Sequence, residues 1–62
     1  MMRNWLKEIR KAKGWTVKKA AAEIGISAVY LDKIERGERG CRVPVAKRIA
    51  EVLGFDWQKF FE

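Results

Sequence analysis

Histidine is absent from the sequence, and cysteine and proline occur once each among its 62 residues. Zinc sites of the finger type, histidine-based catalysis and serine triads are excluded, because each of them needs histidine. A single cysteine forms no intramolecular disulfide, which suits a reducing compartment. No apolar run approaches the length of a membrane span, and the N-terminus lacks the apolar stretch of a signal peptide. We therefore expect a cytoplasmic protein that is not an enzyme, with no metal, no cofactor, no small-molecule substrate and no membrane partner.

Cys41 is the one thiol available for chemistry. It has no histidine to activate it, and neighbouring arginines alone would lower its pKa only somewhat. A redox switch and an inert thiol are both open from the sequence, and we favour the inert thiol.

Positive charge exceeds negative charge, and the surplus is local. The net charge is +6, from 14 Lys and Arg against 8 Asp and Glu. Residues 3–19 hold seven basic side chains and one acid, Glu8, and a second basic cluster consists of Arg36, Arg39 and Arg42. Solubility alone could explain this surplus. Two clusters that flank one candidate helix favour a polyanionic partner.

The stretch 16–37 contains start and stop signals for two short helices. Thr16 can accept from the free amides of a first helical turn, and Gly25 can end that helix in the left-handed conformation. Ser27 is suited to cap a second helix, which Gly37 ends. Two short helices joined by a tight Gly-x-Ser turn are the sequence form of a helix-turn-helix, which lays its second helix in a DNA major groove.

Small side chains favour close packing of these two helices. The alanines at 20–22 give the first helix a side without bulk, which a second helix can approach closely. A purely structural helical hairpin explains this spacing as well as a DNA-binding motif does.

Further helices are predicted on either side of this motif. Apolar residues recur at helical spacing within residues 1–13, where Asn4 can act as the cap or Arg3 can already lie inside the helix. Pro44 is tolerated only in the first turn of a helix over 43–53, and Asp56 can cap a short terminal helix. The prediction is an all-α fold, a compact bundle of five short helices that forms one domain over residues 1–62.

Four motifs follow one another at fixed spacing: LKEIRKAKGWT (6–16), AAAEIGIS (20–27), YLDKIERG (30–37) and AKRIAEVLGFDW (46–57). Through them the sequence resembles the phage-repressor and Cro-type helix-turn-helix family, also called the XRE family. The resemblance implies a lambda-repressor-like DNA-binding domain whose second and third helices form the motif. It also implies a sequence-specific transcriptional regulator, a phage-like repressor, that binds double-stranded operator DNA as a homodimer.

The resemblance assigns structural roles to several side chains. It pairs Arg10 with Glu35, an ion pair that would lock the recognition helix, about 28–36, to the scaffold. It also places dimer contacts near the last two helices, where exposed aromatic side chains would mark a partner surface. The expected dimer surface consists of Trp57, Phe60 and Phe61. The alternative is that these aromatic rings cap the core of a monomer.

DNA contacts are expected from the start of the recognition helix and from the basic residues around it. Lys33 can donate to guanine O6 and N7, whereas Ala28 and Val29 can touch only apolar groups such as the thymine methyl. Phosphate contacts are expected from side chains and helix-end amides on both sides of the motif. The expected phosphate contacts are Thr16, Val17, Lys18, Lys19, Ser27, Tyr30, Arg36, Arg39 and Arg42.

The apolar start of the recognition helix also supports a different function. Val17 stands where the family often has glutamine, and Ala28 and Val29 stand where it often has polar residues. Few side chains therefore remain that can pair with base edges. The alternative is a protein-interaction helix-turn-helix module, such as an antitoxin-like or anti-repressor-like factor, with weak or no specific DNA binding.

Overall fold

The computed structural model describes residues 2–62, so Met1, where the first predicted helical stretch begins, lies outside the described residues. Within residues 2–62 the chain forms four α-helices and a terminal 3-10 segment, without a strand. These elements are α1 (Asn4–Ala12), α2 (Val17–Ile24), α3 (Ala28–Glu35), α4 (Val43–Leu53) and the 3-10 segment (Trp57–Phe61). The predicted all-α fold is confirmed. None of the helices over this range has the length and apolar character that crossing a membrane requires.

The short terminal helix that the sequence predicts is a 3-10 helix over Trp57–Phe61 and not another α-helix. Asp56 caps it as predicted, because its Oδ1 accepts from the Gln58 N–H at 3.0 Å. The Asp56 carbonyl then accepts from the Lys59 N–H, three residues on, at 3.0 Å. A stretch of five residues is too short to gain from the wider α-helical repeat, so it keeps the tighter turn.

Local capping explains where α2 and α3 begin. Thr16 Oγ1 accepts from the Lys19 N–H, and Ser27 Oγ accepts from the Tyr30 N–H, both at 3.1 Å. Both predicted caps are confirmed. Between the two helices Gly25 has a φ of +89°, which a residue with a Cβ adopts only at a cost.

The start of α1 differs from the expected one. Asn4 is already the first helical residue, and Arg3 occupies the capping position without a side-chain cap. The Arg3 carbonyl accepts from the amides of Leu6 and Lys7. The guanidinium of Arg3 is drawn away from the helix, since its Nη1 donates to the Ile34 carbonyl at 2.8 Å.

The core lies where α1, α2, α3 and α4 meet. Its largest fully buried side chains are Leu6, Ile24, Leu31, Ile34 and Ile49. At the contact between α2 and α3, Ala20 and Ala21 are buried, whereas Ala22 is exposed. Consecutive helical residues point about 100° apart, so three adjacent alanines cannot all face one neighbour. The small side of α2 is therefore narrower than predicted.

An aromatic cluster packs the 3-10 segment and the residues just before it against α1. The Trp5 ring lies 5.2 Å from both Phe55 and Phe60, measured between centroids, in edge-on geometries. Phe60 is only 8% exposed. The structure therefore assigns Phe60 to the core instead of the dimer surface, because Trp5 and Phe55 enclose its ring. Trp57 is half-buried and Phe61 is exposed.

Candidate nucleic-acid interface

The first turn of α3 faces solvent and borders a shallow depression. The depression has a volume of about 380 Å³ and is lined by Ser27, Val29, Tyr30, Lys33 and Arg39. Val29 is 67% exposed although it is apolar. The side of α3 opposite to this depression is anchored in the core by Leu31 and Ile34.

Two of the three predicted base contacts line this depression, and the third does not. Val29 and Lys33 lie one helical turn apart on the same face of α3, as expected for positions i and i+4. Ala28 is partly buried and packs against the core. Its methyl group is thus less available to a partner than the sequence suggested.

Tyr30 and Arg39 form the rim of the depression. The Arg39 guanidinium lies 5.4 Å from the centre of the Tyr30 ring, a cation–π contact. This contact brings the loop after α3 back against the start of that helix. A positive charge and a phenol thereby lie beside the side chains that could read bases, and both groups can donate to a phosphate oxygen.

Arg36 lies among acidic side chains. Its Nε is 3.3 Å from Asp32 Oδ2, and its Nη1 is 3.6 Å from Glu38 Oε2. All three side chains are about half exposed, so each pair is weak and easily exchanged for another partner. Arg42 is exposed at the N-terminus of α4, and the lining of the depression is formed without it.

The N-terminus of α2 carries the other predicted phosphate contacts. The side-chain oxygen of Thr16 already accepts a hydrogen bond in capping the helix. Val17 packs partly against the core, so the group it offers to an anion is its backbone N–H. Lys18 is exposed, and Lys19 forms an exposed ion pair with Glu23 at 3.1 Å.

The ion pair between Arg10 and Glu35 is buried. Arg10 Nε donates to Glu35 Oε2 at 2.8 Å, and Nη2 donates to Oε1 at 3.1 Å. The remaining Nη1 donates to the Trp15 carbonyl at 2.7 Å. One guanidinium therefore links α1 both to the end of α3 and to the connection before α2.

Two further arginines, which were not expected from the sequence, hold the motif in place. Arg3 Nη1 donates to the carbonyls of Ile34 and Arg39, at 2.8 and 3.2 Å. Arg48 Nε donates to the carbonyl of Ile24, the last residue of α2, at 2.7 Å. A backbone carbonyl is present at every position, so no residue pattern in the sequence marks these acceptors.

Cys41 is half-buried in the loop before α4. Burial raises the pKa of the Cys41 thiol above its ordinary value, and the nearby Arg3 guanidinium offsets this only in part. Neighbouring arginines were expected from the sequence to lower this pKa, but desolvation acts in the opposite direction and is the larger effect. The thiol stays protonated at neutral pH, which favours the inert role.

The chain is similar to known helix-turn-helix proteins over nearly all its length. A family described as helix-turn-helix, HTH_3, matches residues 6–60. The chain is 48% identical to YqaF, an uncharacterized HTH-type transcriptional regulator of Bacillus subtilis (strain 168), over 62 aligned residues. The alignment covers all of this chain and 82% of YqaF. A second uncharacterized HTH-type transcriptional regulator of that strain, RghRB, is 43% identical over 49 residues, which are 77% of this chain and 35% of RghRB.

A solved structure has the same fold. The crystal structure of an HTH_3 family transcriptional regulator from Vibrio cholerae matches 97% of this chain with a TM-score of 0.80 and 33% sequence identity. The match covers 34% of that protein, so the chain spans about a third of its length. The match over residues 6–60 and the shared fold lead to one conclusion: the chain belongs to the HTH_3 family of helix-turn-helix transcriptional regulators.

Proposed function

We propose that the chain is a sequence-specific DNA-binding regulator, a phage-like repressor that acts in the cytoplasm as a single domain and binds its operator as a homodimer. The observation that carries this proposal is the depression at the start of α3, where an exposed Val29 and Lys33 lie beside Arg39. The chain's membership of a family of transcriptional regulators, not of enzymes, supports it.

Val29 and Lys33 are the proposed base contacts on this face. Lys33 donates to O6 and N7 of a guanine in the major groove, and Val29 contacts the methyl group of an adjacent thymine. Ala28, which packs against the core, approaches the DNA through whatever part of its methyl group remains exposed. The proposed operator therefore contains thymine and guanine at neighbouring positions.

The proposed phosphate contacts lie on both sides of α3. Ser27, Tyr30 and Arg39 border the depression, and the N-terminus of α2 offers Lys18 with the amide of Val17. Further contacts come from more peripheral groups, which either cap, pair with an acid or lie outside the depression. These peripheral contacts are Thr16, Lys19, Arg36 and Arg42.

Fluorescence anisotropy with two labelled duplexes tests the proposal. One duplex carries the intergenic DNA upstream of the coding region, and the other has random sequence. Lys33→Ala should weaken binding to the intergenic duplex alone by about 5- to 150-fold, the value of one good base contact. Arg39→Ala should weaken binding to both duplexes alike. It should also reduce the magnitude of the slope of log K against log salt by about 1, the value for one lost phosphate contact.

Lys59→Ala is the matched control. It removes one positive charge from the terminal 3-10 segment, whose residues take no part in lining the depression. This variant should bind both duplexes almost as the wild type does. The proposal fails if the wild type binds both duplexes equally and weakly and the binding disappears at moderate salt.

One observation favours the second candidate function. Val29 leaves an apolar side chain 67% exposed on the recognition helix, and apolar and aromatic side chains on one helix face are typical of protein contacts. If the two duplexes are not distinguished, the same face becomes the candidate contact surface of an antitoxin-like or anti-repressor-like factor.

A further inference from the structure

The end of α2 is held by a side chain from another helix. Arg48, on α4, donates from Nε to the Ile24 carbonyl at 2.7 Å. The last carbonyls of a helix have no partner within the helix and carry the negative end of its dipole. The guanidinium therefore supplies both a hydrogen bond and an opposite charge at the point where α2 ends.

Gly25 leaves the space that this guanidinium occupies. A Cβ at Gly25 would lie 2.9 Å from Nη2 of Arg48 and 3.5 Å from its Cζ. The glycine thus serves two needs at once, because its φ of +89° already disfavours other residues. Arg48 lies directly against the backbone of the turn.

This turn sets where α3 begins. The amides of Gly25 and Ile26 both donate to the Ala21 carbonyl, at 2.8 and 3.0 Å, and α3 starts at Ala28. The other end of α3 is fixed independently by the contacts of Arg3 with Ile34 and of Arg10 with Glu35, described above. Arg48 is therefore a scaffold side chain that contacts the turn at the beginning of the recognition helix.

We propose that Arg48 is a positioning residue for DNA recognition. Its guanidinium holds the turn between α2 and α3 and fixes the direction in which α3 leaves it. The part of this proposal that concerns DNA rests on the proposed function. The part that concerns the turn does not, and it is tested on the free chain.

The free-chain test is amide hydrogen exchange in Arg48→Met, which keeps most of the aliphatic side chain and removes the donor. The Gly25 and Ile26 amides should exchange about tenfold faster than in the wild type, the loss expected for one hydrogen bond. The Gly54 amide, which closes the corresponding turn after α4 with a 2.7 Å bond to the Ala50 carbonyl, should be unchanged and is the internal control. Wild-type exchange at Gly25 and Ile26 overturns the proposal.

The DNA test compares a short duplex selected by the wild type from a random library with a scrambled duplex of the same composition. Arg48→Met should reduce the ratio of the two affinities about tenfold and leave binding to the scrambled duplex close to wild type. Lys59→Met removes one charge elsewhere and should leave the ratio unchanged. Equal losses on both duplexes in Arg48→Met overturn the proposal, because they mark a phosphate contact instead of a positioning contact.

Arg48→Lys keeps the experiment decisive if Arg48→Met does not fold. Lysine retains the charge but places its donor at the end of a flexible chain instead of beside the turn. The affinity ratio should fall in the same direction by about threefold, and in that case a wild-type ratio in Arg48→Lys overturns the proposal. If the wild type selects no duplex at all, the proposed function has failed, and hydrogen exchange still decides whether Arg48 holds the turn.

Discussion

Arg10 is enclosed far more completely than a basic side chain usually is. It is 6% exposed, and its guanidinium donates to both oxygens of Glu35 and to the Trp15 carbonyl. Removing two charges from water costs about as much as their attraction returns, so the pair adds little net stability. Loss of one partner is different, because it leaves the other charge buried without compensation.

Arg10→Met should therefore destabilise the fold strongly. The expected loss is about 3–5 kcal/mol of the free energy of unfolding, because Glu35 stays buried without its partner. In a chain of this size that corresponds to a melting temperature lower by at least about 12 °C. Thermal unfolding followed by circular dichroism measures it.

The control for this substitution is the double variant Arg10→Met with Glu35→Met. It replaces the ion pair by apolar side chains of similar length and should recover at least half of the loss. Full recovery is not expected, since the Trp15 carbonyl also loses its donor. An unchanged melting temperature in Arg10→Met would contradict the prediction.

At the scale of the elements, α3 depends on its cap because it has only eight residues. Ser27 caps the helix through the Tyr30 amide and also borders the depression. Ser27→Ala should lower stability by about 1 kcal/mol, or about 4–8 °C in melting temperature. Ser27→Asp should restore the cap and the melting temperature, because aspartate caps as well as serine does.

The same two variants separate the structural role of Ser27 from its role toward DNA. Ser27→Asp places a negative charge where a phosphate is expected, so it should bind both test duplexes more weakly than Ser27→Ala despite its higher stability. Anisotropy at two salt concentrations measures this. If Ser27→Asp binds DNA as well as the wild type, Ser27 does not face a phosphate.

Local sequence signals were enough to predict the helices, whereas the burial and anchoring of single side chains depend on tertiary contacts that the sequence does not reveal. The beginnings of α2 and α3 and the turn at Gly25 follow from side chains that act on their own neighbours. The burial of Phe60 follows from Trp5, which is far away in the sequence. The anchoring role of Arg48 depends on a backbone carbonyl, which no residue identity reveals. The caps of the candidate site and its exposed face could therefore be predicted from the sequence, whereas the contacts that orient the site could not.

At the scale of the whole molecule, the chain is smaller than the distance between two operator half-sites. Its Cα atoms extend over 25 × 21 × 19 Å, whereas recognition helices of a dimer contact half-sites about 34–36 Å apart. Under the proposed function, one chain therefore contacts one half-site with its α3. Reading two half-sites requires two chains related by a two-fold axis.

Phe60 belongs to the core, so Trp57 and Phe61 are the two residues of the expected dimer surface that remain available for a contact between two chains. Their rings lie 6.0 Å apart, edge to face, and Phe61 is 55% exposed. Lys47 Nζ lies 5.1 Å from the centre of the Trp57 ring, so a positive charge borders this pair. An apolar centre with a polar margin is the usual composition of a protein interface.

Phe61→Ser should therefore weaken the proposed homodimer without unfolding the chain. On a duplex with two half-sites the wild type should bind as two chains with a sigmoidal titration, and Phe61→Ser should bind as independent chains. Met2→Ser is the matched control, because Met2 is 56% exposed but is not part of the pair. Analytical ultracentrifugation of each complex gives the stoichiometry. If the wild type binds single and double half-sites with equal affinity per site, the aromatic pair belongs to a monomer, and the energy of operator recognition comes from each α3 alone.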